Sequence, residues 1–277
     1  MTIPKRKDRA GIEGPNRELL EKLHRGLPGP FKVEQAARVL GRTPPATMSL
    51  LAYLASRGWL SRVRRGLYST VPLGASSPSE WREEPWLVAT KLFTPCFIGG
   101  WSAAEHWGLT EQIFREVVVF TGVRIRRTVV TVQGTTFRLK RCPPARMFGT
   151  RPVWRGQTKI AVSDPTRTLA DLLDEPALGG GIRHVAEIAA TWFAGEHRDD
   201  PLLLDYVRRL GNRTVYKRLG YLLEALAIES PEITEACSLR KSAGVSLLDP
   251  SGPRAGRILK RWNLRVNATI AAGQGSA

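Results

Sequence analysis

The chain is short of cysteine, of acidic side chains and of long apolar runs. Its three cysteines, Cys96, Cys142 and Cys237, stand far apart in 277 residues. They form neither a CxxC pair nor an even disulfide set, which points to a reducing cytoplasm and to core packing rather than reactive thiols. No stretch approaches the ~18 uninterrupted apolar residues of a membrane helix, and no apolar segment follows the polar start, so neither a membrane span nor secretion is expected. The run Gly179-Gly180-Gly181 lacks the Lys-Ser/Thr of a phosphate-binding loop and reads as a helix–helix connection. No cofactor or metal site is expected. Internal repeats and low-complexity tracts inside the chain are also missing.

What is abundant is positive charge, and it is unevenly placed. Net charge is +17, with 42 Lys+Arg against 25 Asp+Glu. Residues 1–72 hold 14 cations against 5 anions and residues 240–277 hold 7 against 1, while the centre is nearly neutral at 21 against 19. A uniform excess would speak only of solubility or of a biased codon usage; two basic ends speak for a polyanionic partner.

The basic amino end also has the most legible pattern. Phe31, Val33, Ala36, Ala37, Val39 and Leu40 supply the apolar positions of a short helix that stops at Gly41. Pro44-Pro45 open a second helix, where missing N–H groups cost nothing. Its stripe is Leu50, Leu51, Leu54 and Ala55, and it ends at Gly58. Trp59-Leu60 and Leu67-Tyr68 then flank Ser61 to Gly66 as a two-stranded ribbon. Helix, tight turn, helix and cationic ribbon make a winged helix-turn-helix, a shape suited to a DNA major groove and its flanking phosphates.

The expected organisation is a basic, disordered arm over residues 1–15 (Lys5, Arg6, Lys7, Arg9), a winged module over 16–72 whose first helix is capped by Asn16, a Pro/Ser-rich linker over 73–79, and an α+β domain over 80–277. In that domain the pattern predicts a helix at 86–93, a helix capped by Ser102 and running to Gly108, and strands at 116–121, 128–132, 136–140 and 158–162. Asp164 and Pro165 open a further helix, and helices follow at 182–194, 201–210 and 215–228. A basic strand-like piece, Arg257 to Val266, closes the chain. The predicted class is therefore α+β, with a small, largely antiparallel sheet and C-terminal helices.

Several of these pieces, in this order, resemble the AbiEi antitoxins: the wing Trp59 to Tyr68; Ile98-Gly99-Gly100-Trp101-Ser102-Ala103-Ala104-Glu105-His106-Trp107-Gly108-Leu109-Thr110; Val162 to Leu173 around Ser163-Asp164-Pro165-Thr166; Leu219-Gly220-Tyr221-Leu222-Leu223-Glu224; and Leu248-Asp249-Pro250 with Trp262 to Asn267. The resemblance spans roughly residues 30–267. It implies an antitoxin of a type IV pair whose toxin is a nucleotidyltransferase. Such a protein represses its own operon by binding inverted repeats upstream, and counters the toxin through its C-terminal region without a stable complex. It implies no enzymatic activity.

Candidate DNA-contacting residues are Arg42, Thr43, Thr47, Ser49, Tyr53 and Arg57 around the second helix, and Arg62, Arg64 and Arg65 on the wing. Alternation puts Arg62 and Arg64 on one ribbon face, opposite Val63. Arg254, Arg257, Lys260, Arg261 and Arg265 form a second basic patch, open to three readings: DNA contact, contact with an RNA, or a solvated coat. His106 sits in apolar surroundings and reads as a packing residue. Asp171 and Asp174 lie three apart on a helix and could serve a DNA-targeted nuclease, the first competing reading. The second competitor is a winged regulator whose larger domain senses a ligand or dimerises.

Overall fold

The computed structural model describes residues 14–72, 75 and 81–270. The expected arm at Lys5, Arg6, Lys7 and Arg9 lies outside the described residues, as does the 73–79 linker apart from Ala75, whose N–H donates to the carbonyl of Pro72.

The amino end builds α1 (Gly14–Gly26), β1 (Phe31–Lys32), α2 (Val33–Leu40), α3 (Pro44–Ser56), β2 (Leu60–Arg64) and β3 (Leu67–Thr70), the strands pairing in the order β1-β3-β2. This is the winged helix-turn-helix read from the pattern, with two corrections. Phe31 belongs to β1, pairing with Tyr68, and only then does α2 begin. Asn16 lies inside α1, which already starts at Gly14 with Pro15 in its first turn. Leu20, Leu23, Phe31, Ala36, Leu51, Leu54, Leu60 and Tyr68 close a small core among the three helices and the ribbon.

The larger part continues with α4 (Pro85–Leu92), β4 (Cys96–Ile98), α5 (Gly100–His106), β5 (Glu116–Thr121), β6 (Val129–Val132), β7 (Thr135–Arg141), β8 (Thr150–Arg155), β9 (Thr158–Ser163) and α6 (Pro165–Asp174). After it come α7 (Ile182–Ala194), α8 (Asp200–Leu210), α9 (Thr214–Ala225), α10 (Pro231–Arg240), β10 (Ser246–Leu247), β11 (Arg257–Leu259) and β12 (Leu264–Val266). Six strands form one sheet in the order β6-β7-β5-β4-β9-β8. Pairing is antiparallel at β6–β7, β4–β5 and β8–β9 and parallel at β5–β7 and β4–β9. The class is α+β, as the pattern implied.

This sheet is the middle layer, which explains why β5 reads as an unbroken apolar run. Along it Val118 and Phe120 face the core made with α5 to α9, whereas Val117 and Val119 face a second core. That second core is closed by Trp86, Val88 and Ala89 of α4 and, unexpectedly, by Val63 and Leu67 of the wing. The ribbon is thus a shared element. Leu60 and Tyr68 look into the helix-turn-helix core, while Val63 and Leu67 look into the sheet. All four residues of β3 are consequently buried.

Several local expectations needed revision. Ser102 does not cap α5; the helix begins earlier, after Gly99, where the Phe120 ring lies 2.6 Å from the place a Cβ would take. Ser102 is instead buried, its Oγ accepting the Val118 N–H at 3.0 Å and pinning α5 to β5. Asp164 does cap α6, accepting the Arg167 N–H at 2.7 Å, and its other oxygen takes the Tyr206 hydroxyl at 2.9 Å. The closing piece is a hairpin rather than one strand: β11 turns at Lys260 to Asn263 and pairs antiparallel with β12. Its Trp262 is fully buried against Gly220 of α9, where a Cβ would sit 2.4 Å from the indole, and donates to Glu224 at 2.7 Å. Asp249 accepts the Ile182 N–H at 2.9 Å and so caps α7 from 67 residues away.

Candidate nucleic-acid interface

The turn between α2 and α3 is set by Gly41, whose φ of 62° is open to glycine at little cost. Arg42 and Thr43 follow in exposed positions, and Pro44 begins α3. Thr43 makes no capping bond with its side chain, so among the described residues its hydroxyl is not spent on the positive end of the helix beside it. Along α3 the buried positions are Thr47, Leu51 and Leu54. The opposite, exposed face carries Ser49, Tyr53, Ser56 and Arg57. The Arg57 guanidinium lies 5.6 Å from the Tyr53 ring centroid, and the Ser49 hydroxyl donates to the Pro45 carbonyl at 3.3 Å.

Thr47 is a correction. It is fully buried, with its hydroxyl unpartnered among the described residues, so it faces the module's core and not solvent. The signal was available: counting back four from Leu51 and seven from Leu54 reaches residue 47. Met48, which the apolar stripe does not single out, takes the exposed face instead at 55% exposure. A thioether there offers apolar contact of the kind that reads a thymine methyl.

On the wing, Arg62, Arg64 and Arg65 are all exposed. The geometry that achieves this is not simple alternation. Arg62 pairs with Tyr68 and Arg64 with Leu67, so Val63 is bulged out of the ladder and turned into the sheet core. Gly66, at φ 78°, makes the turn. Among the described residues no carboxylate pairs with Arg42, Arg57, Arg62, Arg64 or Arg65. The body of the ribbon is packed inward on both faces, and only its arginines remain for a partner.

The other singled-out residues part from this surface. Arg254, Arg257 and Lys260 are exposed, but Arg261 pairs with Glu224 and half-buried Arg265 donates to the Gly256 carbonyl at 3.3 Å. Their hairpin packs through Trp262 and Leu264 into the helical layer, across the sheet from the wing, so the two basic patches are not brought together. Asp171 is buried with Arg167 in an ion pair at 2.9 Å, and burial pushes its carboxyl up to about 6. Asp174 is engaged by Arg146 at 2.8 Å and Asn212 at 2.6 Å. Asp171 is thus enclosed, and Asp174, half-buried, is held by two neighbours, so the two acids do not form an open pair. His106 is a packing residue, edge-on to Trp86 at 5.4 Å, its imidazole pushed below its usual value by burial and by nearby Arg155. Burial likewise pushes the thiols of Cys96 and Cys237 up to about 12. Among the described residues no helix is long and apolar enough to cross a membrane.

A two-helix turn, an exposed helix face and an exposed arginine tip are the parts of a winged helix-turn-helix, and comparison points the same way. Residues 18–71 match the AbiEi antitoxin family of transcriptional regulators. The AbiEi-type segment takes in the whole of α2, α3 and the wing, and so all nine amino-terminal candidates. A search of curated proteins finds no match. The crystal structure of the RV2827C protein from Mycobacterium tuberculosis is similar over 94% of each chain, with a TM-score of 0.66 and 19% identity. At that identity the likeness concerns the fold, and it extends the comparison through the sheet and helices beyond the AbiEi-type segment.

Proposed function

We propose that this protein is a cytoplasmic DNA-binding autorepressor and the antitoxin of a type IV toxin–antitoxin pair, opposing a nucleotidyltransferase toxin. The observation that carries the reading is the AbiEi-type match over the segment in which Arg42, Arg57, Arg62, Arg64 and Arg65 stand exposed and, among the described residues, without a carboxylate partner. In this reading α3 enters the major groove of an inverted-repeat operator upstream of the protein's own operon. Arg42, Thr43, Ser49, Tyr53 and Arg57 meet bases and phosphates there, with Met48 added and Thr47 withdrawn. Arg62, Arg64 and Arg65 grip the adjoining backbone. The division of labour follows the expected order, with the DNA module beginning at Gly14 of α1 rather than at residue 16 and running to 72, and the effector domain following it. The effector domain does no chemistry on a small molecule and counters the toxin without a stable complex, while the exposed cations Arg254, Arg257 and Lys260 supply a separate contact for nucleic acid.

The test is a mobility-shift titration of the purified chain with its own upstream DNA and with random duplex, followed by growth rescue during toxin expression. Tight, salt-sensitive preference for the upstream DNA together with rescue supports the reading. Equal affinity for both duplexes removes the repressor role, and growth arrest despite the expressed protein removes the antitoxin role.

A further inference from the structure

Beside the wing a cavity of about 470 Å³ opens between α4, α5, β5 and β8, walled by Glu84, Trp86, Glu105, Phe114, Glu116 and Arg155. Its size is that of a small-ligand site. Its charge is the reverse of the molecule's: three carboxylates and one guanidinium in a chain of net +17, beside the His106 imidazole, which burial pushes below its usual value. The protein's own Arg155 demonstrates the recognition chemistry. Its guanidinium lies 4.6 Å from the Trp86 ring centroid, with its Nε 3.9 Å from a Glu84 oxygen. That uses one cation and one carboxylate. Glu116 gives one oxygen to Arg138 at 2.8 Å, and the exposed Glu105 carboxylate has no partner among the described residues. Phe114 is held as a fixed wall by stacking on Trp101 at 4.7 Å.

We propose that this cavity binds a small organic cation, a primary amine or guanidinium, with Glu105 as its counter-charge and Phe114 as its aromatic wall, and that its occupancy is felt by the wing. The route is short. The Glu84 N–H donates to Glu83 at 3.0 Å, and Glu83 accepts the Ser69 hydroxyl of β3. The Glu83 N–H donates at 3.3 Å to Gln133, whose amide donates to Ser61 of β2 at 2.8 Å. A cation that draws on Glu84 therefore acts on both strands of the ribbon that presents Arg62, Arg64 and Arg65. The coupling rests on the DNA-binding reading above; the binding site does not.

Calorimetry of the full chain with agmatine, which carries both an amine and a guanidinium, tests the site without DNA. Saturable binding, weakened about tenfold or more by Glu105→Gln and by Phe114→Ala, is the expected result. No saturable heat, binding that ignores Glu105→Gln, or stronger binding of adenosine monophosphate than of agmatine would overturn it. DNA affinity is then measured at fixed ionic strength with and without agmatine. A shift in the wild-type protein that Glu105→Gln loses supports the coupling, and equal behaviour of the two proteins overturns it. A chain that binds agmatine but no DNA keeps the cavity and defeats the preceding reading instead.

Discussion

Arginine does opposite work in the two parts of this molecule. In the sheet-and-helix part Arg167 and Arg218 are nearly inaccessible, at 1% and 4% exposure. Arg167 pairs with Asp171 and donates to the Phe148 carbonyl at 2.8 Å, and Arg218 donates to the carbonyls of Leu173, Asp174 and Leu248 at the end of α6 and in the tail. On the wing Arg62, Arg64 and Arg65 stand in solvent, with no carboxylate paired to them among the described residues. Chain-wide charge therefore says little; what decides an arginine's role is whether the fold has already supplied its partner. A buried guanidinium is committed to structure, and an unpaired exposed one is available to a phosphate.

That contrast can be broken at the buried side first. Asp171→Ala leaves Arg167 buried and unpaired, so stability should fall by about 3–5 kcal/mol. A melting curve should drop by roughly 10 °C, while DNA affinity per folded molecule stays unchanged. A melting point like the wild type's would mean the pair contributes nothing. The same pair predicts a pH dependence. Burial raises the Asp171 carboxyl from the ordinary 3.8 to about 6, and one of its oxygens lacks a hydrogen-bond partner among the described residues. In that window the native state binds the extra proton, so this group's contribution is full below about 4 and is lost as pH rises through about 6. Chemical denaturation at about pH 4.5 and about pH 7 should show the wild-type-minus-Asp171→Asn difference moving in that sense, and a difference independent of pH would contradict it.

On the exposed side, Arg64→Ala with Arg65→Ala should change stability by less than about 1 kcal/mol, since neither side chain packs. It should weaken binding to every duplex and flatten the salt slope by about 0.9 for each phosphate left unneutralised. An unaltered slope would take the wing out of DNA binding. The smallest effect concerns the residue that changed sides. Thr47→Val replaces a buried, unpartnered hydroxyl by a methyl and should be neutral or stabilising by about 1 kcal/mol, with no change in DNA affinity. Loss of sequence preference in that variant would put Thr47 back on the DNA face.

How much of this was legible in the sequence depends on the kind of order involved. Elements with a strong period or a chemical stop were plain: α2 ending at Gly41, β5 from Glu116 to Thr121, α7 from Ile182 to Ala194, and α6 behind Asp164-Pro165. Those without were missed. β8 is an edge strand interrupted by Pro152, with no regular alternation, and α10 buries only Ile233 and Cys237. At the interface the arginines were legible because charge clusters along the chain. The second face of the ribbon was not. Val63 and Leu67 look alike as residues of a free wing or of a shared core, and their partners Trp86, Val119 and Phe137 lie far away in sequence. The bulge at Val63 was equally hidden, since register depends on the opposite strand. The cavity is assembled from four elements, and no local pattern announces it.

The most direct test of the account is the salt dependence of affinity for the protein's own upstream DNA, measured beside a random duplex of equal length. The account predicts a steep linear fall of log affinity with log salt for both, with the upstream DNA held more tightly at every concentration. A shallow slope, or two coincident lines, would contradict it.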